Sequence, residues 1–291
     1  MLSAKFMNPE KFERKLSLEE QFRKPEILEL YGGKVEIIDI CPENKKYEIP
    51  VVVAPGWAAT PEVFKDNILT LAELGRRTIS INSSHGIETE KIENFPDAEL
   101  RKAAALIRTL EEKNINKVDA IGHSEAGIYL TLAATLYPEK FRNIILVDPG
   151  GMIGKDNIAR LSVDFSLDII KQTIRSIKDR RLIKPILKAF WEAGKPIGFH
   201  PVRAFREVLA ISDFQIHELL RGLKEKGIGL SIIHAVDDKA FPMDKVQKIA
   251  KTDQLDGFYS VKGTHNEFYL KAKEYTQLAD KALTDLALRK K

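Results

Sequence analysis

Short apolar runs alternate with amphipathic helical segments along most of this chain of 291 residues. The run Val51-Val52-Val53 is continuous and β-branched, which is typical of a strand buried on both faces of a sheet. The pattern predicts strands at 27–31, 34–40, 49–54, 77–81, 117–121, 141–147, 229–234 and 256–261. It predicts helices at 61–74, 97–113, 125–137, 242–251 and 267–289. Helical crossovers between strands imply an α/β fold with a mostly parallel central sheet and helices on both faces.

This alternation is interrupted once, by residues 151–227, which contain no convincing strand. Helical segments are predicted there at 157–178, 181–193, 201–211 and 213–226. We therefore expect an N-terminal helical extension at 1–25, an α/β core formed by 26–150 and 228–291, and an inserted helical block at 151–227.

The composition is that of an ordinary globular protein, with 44% hydrophobic and 30% charged residues. The one cysteine, Cys41, excludes an internal disulfide and fits a reducing compartment. The charged N-terminus has no apolar segment typical of a signal peptide, and no apolar stretch approaches the length of a membrane span. These features predict a cytoplasmic protein without an integral membrane segment.

The net charge of +4 is too small to indicate a nucleic-acid partner. The positive charge lies in the inserted block, which has 15 basic and 9 acidic residues, whereas the remainder has 31 and 33. We interpret these basic side chains as a solvated helix face, and weak association with anionic surfaces is the alternative. The sequence leaves the oligomeric state open.

The candidate chemistry centres on Gly122-His123-Ser124-Glu125-Ala126, where a predicted strand meets a predicted helix. A serine at such a junction is held on a sharp turn, and its neighbours must be small because the helix crosses close to the strand. Ala126 stands where the usual pattern has glycine. The sequence therefore predicts Ser124 as a nucleophile, with a helix-capping serine as the alternative.

A serine nucleophile needs a base and an acid, and both follow predicted strands. His265 is the candidate base, while Asp237, Asp238 and Asp148 are the candidate acids. Because the carboxyl ends of parallel strands meet at one edge of a sheet, we expect these loops to lie together.

An oxyanion also needs N–H donors. Glu125 follows the nucleophile, and Trp57 is the natural second donor because Pro55 has no N–H.

Taken together, these residues resemble the α/β-hydrolase superfamily, in its capped serine esterase-like branch. The resemblance implies Ser124 as nucleophile, His265 as base, and the N–H groups of Trp57 and Glu125 as the oxyanion hole. It favours Asp238 as the acid, because the family's aspartate stands four residues before a proline, here Pro242. The block at 151–227 then corresponds to a helical cap.

The chain departs from the family at Pro55-Gly56, where members often have His-Gly, and at Ala126. The resemblance also implies a pocket, which we expect Trp57, His85 and Phe241 to line. Relatives with an aspartate nucleophile, such as haloalkane dehalogenases and epoxide hydrolases, are disfavoured by Ser124.

The expected reaction is cleavage of small to medium, partly apolar carboxylic esters through an acyl-enzyme. The alternatives are C–C bond or thioester hydrolysis on the same three residues, and a non-catalytic ligand-binding or receptor protein of the same fold. The sequence has no metal-binding spacing and no phosphate-binding loop, so no metal and no cofactor are predicted.

Overall fold

A computed structural model of the chain describes residues 15–82, 87–154, 160, 163, 180, 183–250 and 254–289. Within them, a single sheet of eight strands forms the centre of the molecule. The strands are β1 (Glu26–Leu30), β2 (Gly33–Ile40), β3 (Val51–Ala54), β4 (Thr78–Asn82), β5 (Val118–His123), β6 (Phe141–Val147), β7 (Gly229–Ala235) and β8 (Gly257–Val261). Their order across the sheet is β1-β2-β4-β3-β5-β6-β7-β8.

The sheet is mostly parallel. Six neighbouring strands, in the order β4, β3, β5, β6, β7 and β8 across the sheet, pair in parallel. Strand β2 pairs with β1 and with β4 in antiparallel register. Gly32 makes the β1–β2 turn possible, because its φ of 82° is a conformation that other residues rarely adopt.

The described helices follow the strands and cover both faces of the sheet. They are α1 (Leu18–Phe22), α2 (Lys65–Glu73), α3 (Asp97–Glu112), α4 (Ala126–Leu136), α5 (Ile183–Phe199), α6 (Pro201–Asp213), α7 (His217–Glu225), α8 (Met243–Ile249), α9 (Glu267–Leu270) and α10 (Ala272–Leu288). A short 3-10 turn, Pro138–Lys140, precedes β6. None of the helices in the described ranges is long and apolar enough to cross a membrane.

Two hydrophobic cores lie on the two faces of the sheet, and the side chains of β3 alternate between them. Val52 and Ala54 pack in the core that contains α3 and α4, whereas Val51 and Val53 pack in the core that contains α2 and α10. All four residues of β3 are buried, as expected for a central parallel strand covered on both sides. The predicted mostly parallel α/β architecture is therefore confirmed.

Several predicted boundaries shift. The predicted helix 267–289 is divided at Lys271, whose φ of −117° and ψ of 48° are not helical. The predicted helix 61–74 begins only at Lys65, after a series of turns. The predicted helix 181–193 runs on to Phe199 as α5, and the predicted helix 157–178 lies outside the described residues.

The predicted extension and the predicted insertion both contact the core where they are described. Phe22 of α1 is buried in the core that contains α2, and the Gln21 side chain bonds the backbone of Cys41. Leu220 and Leu223 of α7 belong to the core that contains α4. Residues 1–14 lie outside the described part of the chain.

Candidate active site

Ser124 occupies a sharp turn between β5 and α4. Its φ of 57° is a left-handed conformation that is costly for a residue with a side chain, so the surroundings must hold it. The Ser124 N–H donates to the Val147 carbonyl at 2.9 Å, and the Ser124 carbonyl accepts from the N–H groups of Gly127 and Gly150, each at 2.9 Å. These bonds fix the strained turn from both sides.

The small residues around Ser124 let α4 cross close to β5. A Cβ atom added to Gly122 would lie 2.5 Å from Leu130 Cδ1 and 3.2 Å from Ala126 Cβ, so a larger residue there would require the Leu130 side chain and α4 to shift. Ala126 itself is fully buried at the start of α4. The methyl group of Ala126 is thus accommodated where the family pattern usually has glycine.

Ser124, His265 and Asp238 form a continuous hydrogen-bonded series. His265 Nε2 lies 2.9 Å from Ser124 Oγ, and His265 Nδ1 lies 2.9 Å from Asp238 Oδ2. Ser124 follows β5, Asp238 follows β7 and His265 follows β8. All three therefore lie beyond the carboxyl ends of parallel strands, where reaction sites of such sheets are expected. All three are buried, so their electrostatic interactions are weakly screened.

The three candidate acids have different surroundings. Asp238 Oδ1 accepts the Phe241 N–H at 2.9 Å, so both carboxylate oxygens of Asp238 are engaged. Asp237 is exposed. Asp148 is buried, and its Oδ1 accepts the Ala235 N–H at 2.7 Å. The hydrogen bond to the imidazole of His265 is thus made by Asp238.

His123 has a contact that sequence reasoning missed. Its Nε2 lies 2.8 Å from the backbone carbonyl of His265, and its ring stacks on Phe268 at a centroid distance of 5.8 Å. Burial lowers the pKa of His123 to about 3, so the ring stays neutral and Nε2–H donates to that carbonyl. The position of His123 beside Ser124 was the only signal in the sequence.

The loop after β3 approaches the Ser124 turn very closely. A Cβ atom added to Gly56 would lie 2.8 Å from the His123 carbonyl oxygen and 3.0 Å from Ser124 Cβ. The Tyr129 hydroxyl of α4 donates to the Pro55 carbonyl at 2.8 Å and holds the loop in place. Trp57 follows directly in this loop.

Glu125 begins the helical turn after Ser124, and its side chain is completely buried. The first N–H groups of a helix have no acceptor within the helix and are available to other partners. The loop after β3, which carries the Trp57 N–H, and the start of α4, which carries the Glu125 N–H, approach each other at Ser124.

A cavity with an empty volume of about 690 Å³, part of it open to solvent, reaches Ser124 and His265. Its other walls come from the loop after β3, from α5 and from the segment that follows His265. These lining residues are Gly56, Trp57, Ala58, Ala59, Val63, His123, Ile186, Ala189, Phe190, Ala193, Asn266 and Tyr269. Most of them are apolar, which suits an uncharged substrate.

The three predicted pocket residues have different positions. Trp57 lines the cavity. Phe241 is instead buried with its ring edge-on to His265, at a centroid distance of 5.2 Å, so the prediction that it lines the pocket is wrong. The backbone N–H of Phe241 donates to Asp238 Oδ1. His85 lies outside the described residues.

Among the residues that the structure describes, two buried groups of three side chains have potential metal-ligand atoms within 4.8 Å of one another. They are His123, Asp148 and His265, and Asp148, His234 and Asp238. The nitrogens of His265 and the oxygens of Asp238 already bond each other, Ser124 and the backbone. A metal ion would have to break these bonds, so the arrangement suits proton transfer better than metal binding.

Comparison with known proteins gives one consistent result. A family model described as the alpha/beta hydrolase fold matches residues 49–182. A Mycobacterium phage D29 protein, provisionally named a non-heme haloperoxidase, is 20% identical over 255 residues, which are 83% of this chain and 90% of that protein.

Two solved structures extend the likeness over almost the whole chain. A structure from work on carboxylesterases of the thaumarchaeon Nitrososphaera gargenis aligns with a TM-score of 0.68 at 18% identity, covering 91% of this chain and 100% of that chain. The bromoperoxidase of Bacillus anthracis aligns with a TM-score of 0.66 at 16% identity, covering 90% and 100%. At these identities the likeness establishes the fold.

Proposed function

We propose that this chain is a member of the α/β-hydrolase superfamily and a serine hydrolase that cleaves carboxylic esters, because its fold matches the family model over residues 49–182 and the solved structures. The observation that carries the proposal is the buried series of hydrogen bonds from Ser124 through His265 to Asp238, each 2.9 Å long. A serine hydroxyl is a weak nucleophile until a base removes its proton, and this series supplies a base and an orienting acid.

In the proposed mechanism Ser124 Oγ attacks the ester carbonyl carbon while its proton passes to His265 Nε2. Asp238 holds the imidazole with Nδ1–H towards its carboxylate and stabilises the imidazolium that forms. The N–H groups of Trp57 and Glu125 bind the oxyanion, which is where charge develops in the transition state.

His265 then donates the proton to the alcohol oxygen as the C–O bond breaks, which leaves Ser124 acylated. A water molecule, deprotonated by His265, attacks the acyl carbon and releases the carboxylic acid, and Ser124 regains its proton. The second half of the reaction therefore reuses the groups of the first.

The proposed substrates are small to medium esters with an apolar acyl or alcohol part. This rests on the apolar side chains of Trp57, Val63, Ile186 and Phe190 in the cavity wall. Ile186 and Phe190 come from α5, which belongs to the cap that we propose for residues 151–227.

The test is labelling with a fluorophosphonate probe, which reacts with an activated serine. We expect the wild-type chain to be labelled at Ser124 and the Ser124→Ala variant to remain unlabelled. A series of p-nitrophenyl esters of rising acyl length, assayed with both chains, then gives the acyl preference. A folded wild-type chain that is not labelled, or a Ser124→Ala variant that keeps full turnover, would overturn the proposal.

A further inference from the structure

A buried lysine connects the Ser124 turn with helix α6. Lys102 Nζ, on α3, lies 2.7 Å from Glu125 Oε1 and 3.0 Å from Glu207 Oε1. The side chains of Lys102, Glu125 and Glu207 are 8%, 0% and 8% exposed, so this ammonium group and its two carboxylates are almost completely removed from water. Glu207 also accepts a hydrogen bond from Arg203 at 2.9 Å.

The charges of this cluster do not balance without a bound proton. A third carboxyl, Glu99, is fully buried on α3 beside the other groups. Burial, together with the charge of Glu125, raises the pKa of Glu99 well above its usual value, so Glu99 stays protonated. Burial by itself lowers the pKa of Lys102, but the carboxylates of Glu125 and Glu207 raise it above its usual value, so the ammonium persists.

Two groups of Glu125 would have opposite effects on an oxyanion that develops near Ser124. The Glu125 backbone N–H is one of the two proposed oxyanion donors, whereas the side-chain carboxylate, a few bonds away, would repel a developing oxyanion. Such a repulsion is strong in a buried site of low dielectric constant. A buried carboxylate that loses its partner is also strongly unfavourable. Lys102 Nζ donates a hydrogen bond of 2.7 Å to the Glu125 carboxylate and thus provides this partner.

We propose that Lys102 is a positioning residue for the oxyanion hole, which neutralises Glu125, holds the Ser124–Glu125 peptide in place and ties it to helix α6. The inference rests on the proposed serine hydrolase function, which it deepens. Lys102 acts through Glu125. It therefore affects the charged transition state more than the binding of a neutral ester.

The test is the Lys102→Met variant, assayed on a p-nitrophenyl ester. We expect kcat to fall by about 10- to 100-fold, up to the range measured for loss of one oxyanion-hole donor, with little change in KM. The loss should grow as pH rises, because Glu125 is then ionised without a counter-charge. The titratable groups around it are Glu99 and Lys102 on α3, Glu125 and Tyr129 at the start of α4, and Arg203 and Glu207 on α6, with His200 at the adjoining cavity.

The double variant Lys102→Met/Glu125→Gln removes both charges, and we expect it to recover most of the lost kcat and to remove the added pH dependence. A merely structural lysine would not be rescued in this way. Lys113→Met is the control at the opposite, C-terminal end of the same helix, because Lys113 pairs with Glu26 of β1 and Asp39 of β2 and not with a residue of the Ser124 turn. Its kcat should equal that of the wild type.

If Lys102→Met does not fold, Lys102→Gln replaces it, and kcat is compared in the same way between the single variant, its double variant with Glu125→Gln and the wild type. Equal kcat values for the wild type and the Lys102 variants, in a chain whose Ser124 is labelled, would overturn this inference alone. Failure of Glu125→Gln to recover kcat would also overturn it. An unlabelled wild-type chain would overturn the proposed function together with the inference.

Discussion

At the scale of single residues, two neighbouring aspartates have very different positions. Asp238 is buried, and its two carboxylate oxygens bond His265 Nδ1 and the Phe241 N–H. Asp237, one residue earlier, is exposed, and its N–H donates to the Gly263 carbonyl. Of the two aspartates, Asp238 is therefore the one that contacts the imidazole of His265.

The pair gives a matched comparison. We expect Asp238→Asn to lower kcat by about 10⁴-fold, because an amide facing Nδ1 favours the wrong imidazole tautomer. Asp237→Asn should keep wild-type kcat, since that side chain faces solvent. Steady-state kinetics on one ester measure both variants. A larger loss in Asp237→Asn would assign the acid to Asp237 instead.

At the scale of elements, the site depends on the close approach of the loop after β3 to the Ser124 turn. Gly56 lies so near the backbone of His123 that a methyl group there would be 2.8 Å from the carbonyl oxygen. Backbone atoms cannot rotate away as side chains do, so the loop itself would have to move. Trp57, the proposed donor, would move with it.

We therefore expect Gly56→Ala to lower kcat by about 10²-fold through displacement of the loop, because a shift of about 1 Å can have that effect. Gly222→Ala is the control: Gly222 lies within α7 with open space around it. There the same change should leave kcat unaltered and stabilise the fold by about 0.5–1 kcal/mol. Equal kcat in the two variants would show that the loop tolerates the methyl group.

At the scale of the whole molecule, the site forms part of the core that stabilises the fold. His123 packs between the proposed base and the rings of Phe64, Phe268 and Tyr269. Burial holds its pKa at about 3, below the usual 6.5. Global stability is therefore linked to pH through a residue that contacts the site.

The sign of this linkage gives a prediction for unfolding. As pH falls from 6.5 towards 3, the unfolded chain binds a proton at His123 that the folded chain excludes, so stability present above pH 6.5 is lost. His123→Gln removes this contribution. The wild type should lose stability relative to the variant by about 1.4 kcal/mol per pH unit. Urea unfolding of both chains between about pH 6 and about pH 4 measures the slope; parallel curves would contradict the prediction.

The fold class and the residues at the ends of the strands could be predicted from the amino-acid sequence alone. Strand β6 begins and ends as predicted, and the other strands differ by only a few residues. This succeeds because burial on both faces leaves a local pattern of apolar residues. The positions of Ser124 and His265 followed from the same pattern, since the carboxyl ends of parallel strands converge.

The contacts between individual side chains, in contrast, could be read only from the folded structure. The residues alone left Asp237, Asp238 and Asp148 open, assigned no role to His123, and gave no sign that Lys102 bonds Glu125 and Glu207. Each of these contacts joins segments that are far apart along the chain. A periodic pattern records which face of an element is buried, but a hydrogen bond depends on positions within a few tenths of an ångström, which are set when helices and loops from distant segments pack together.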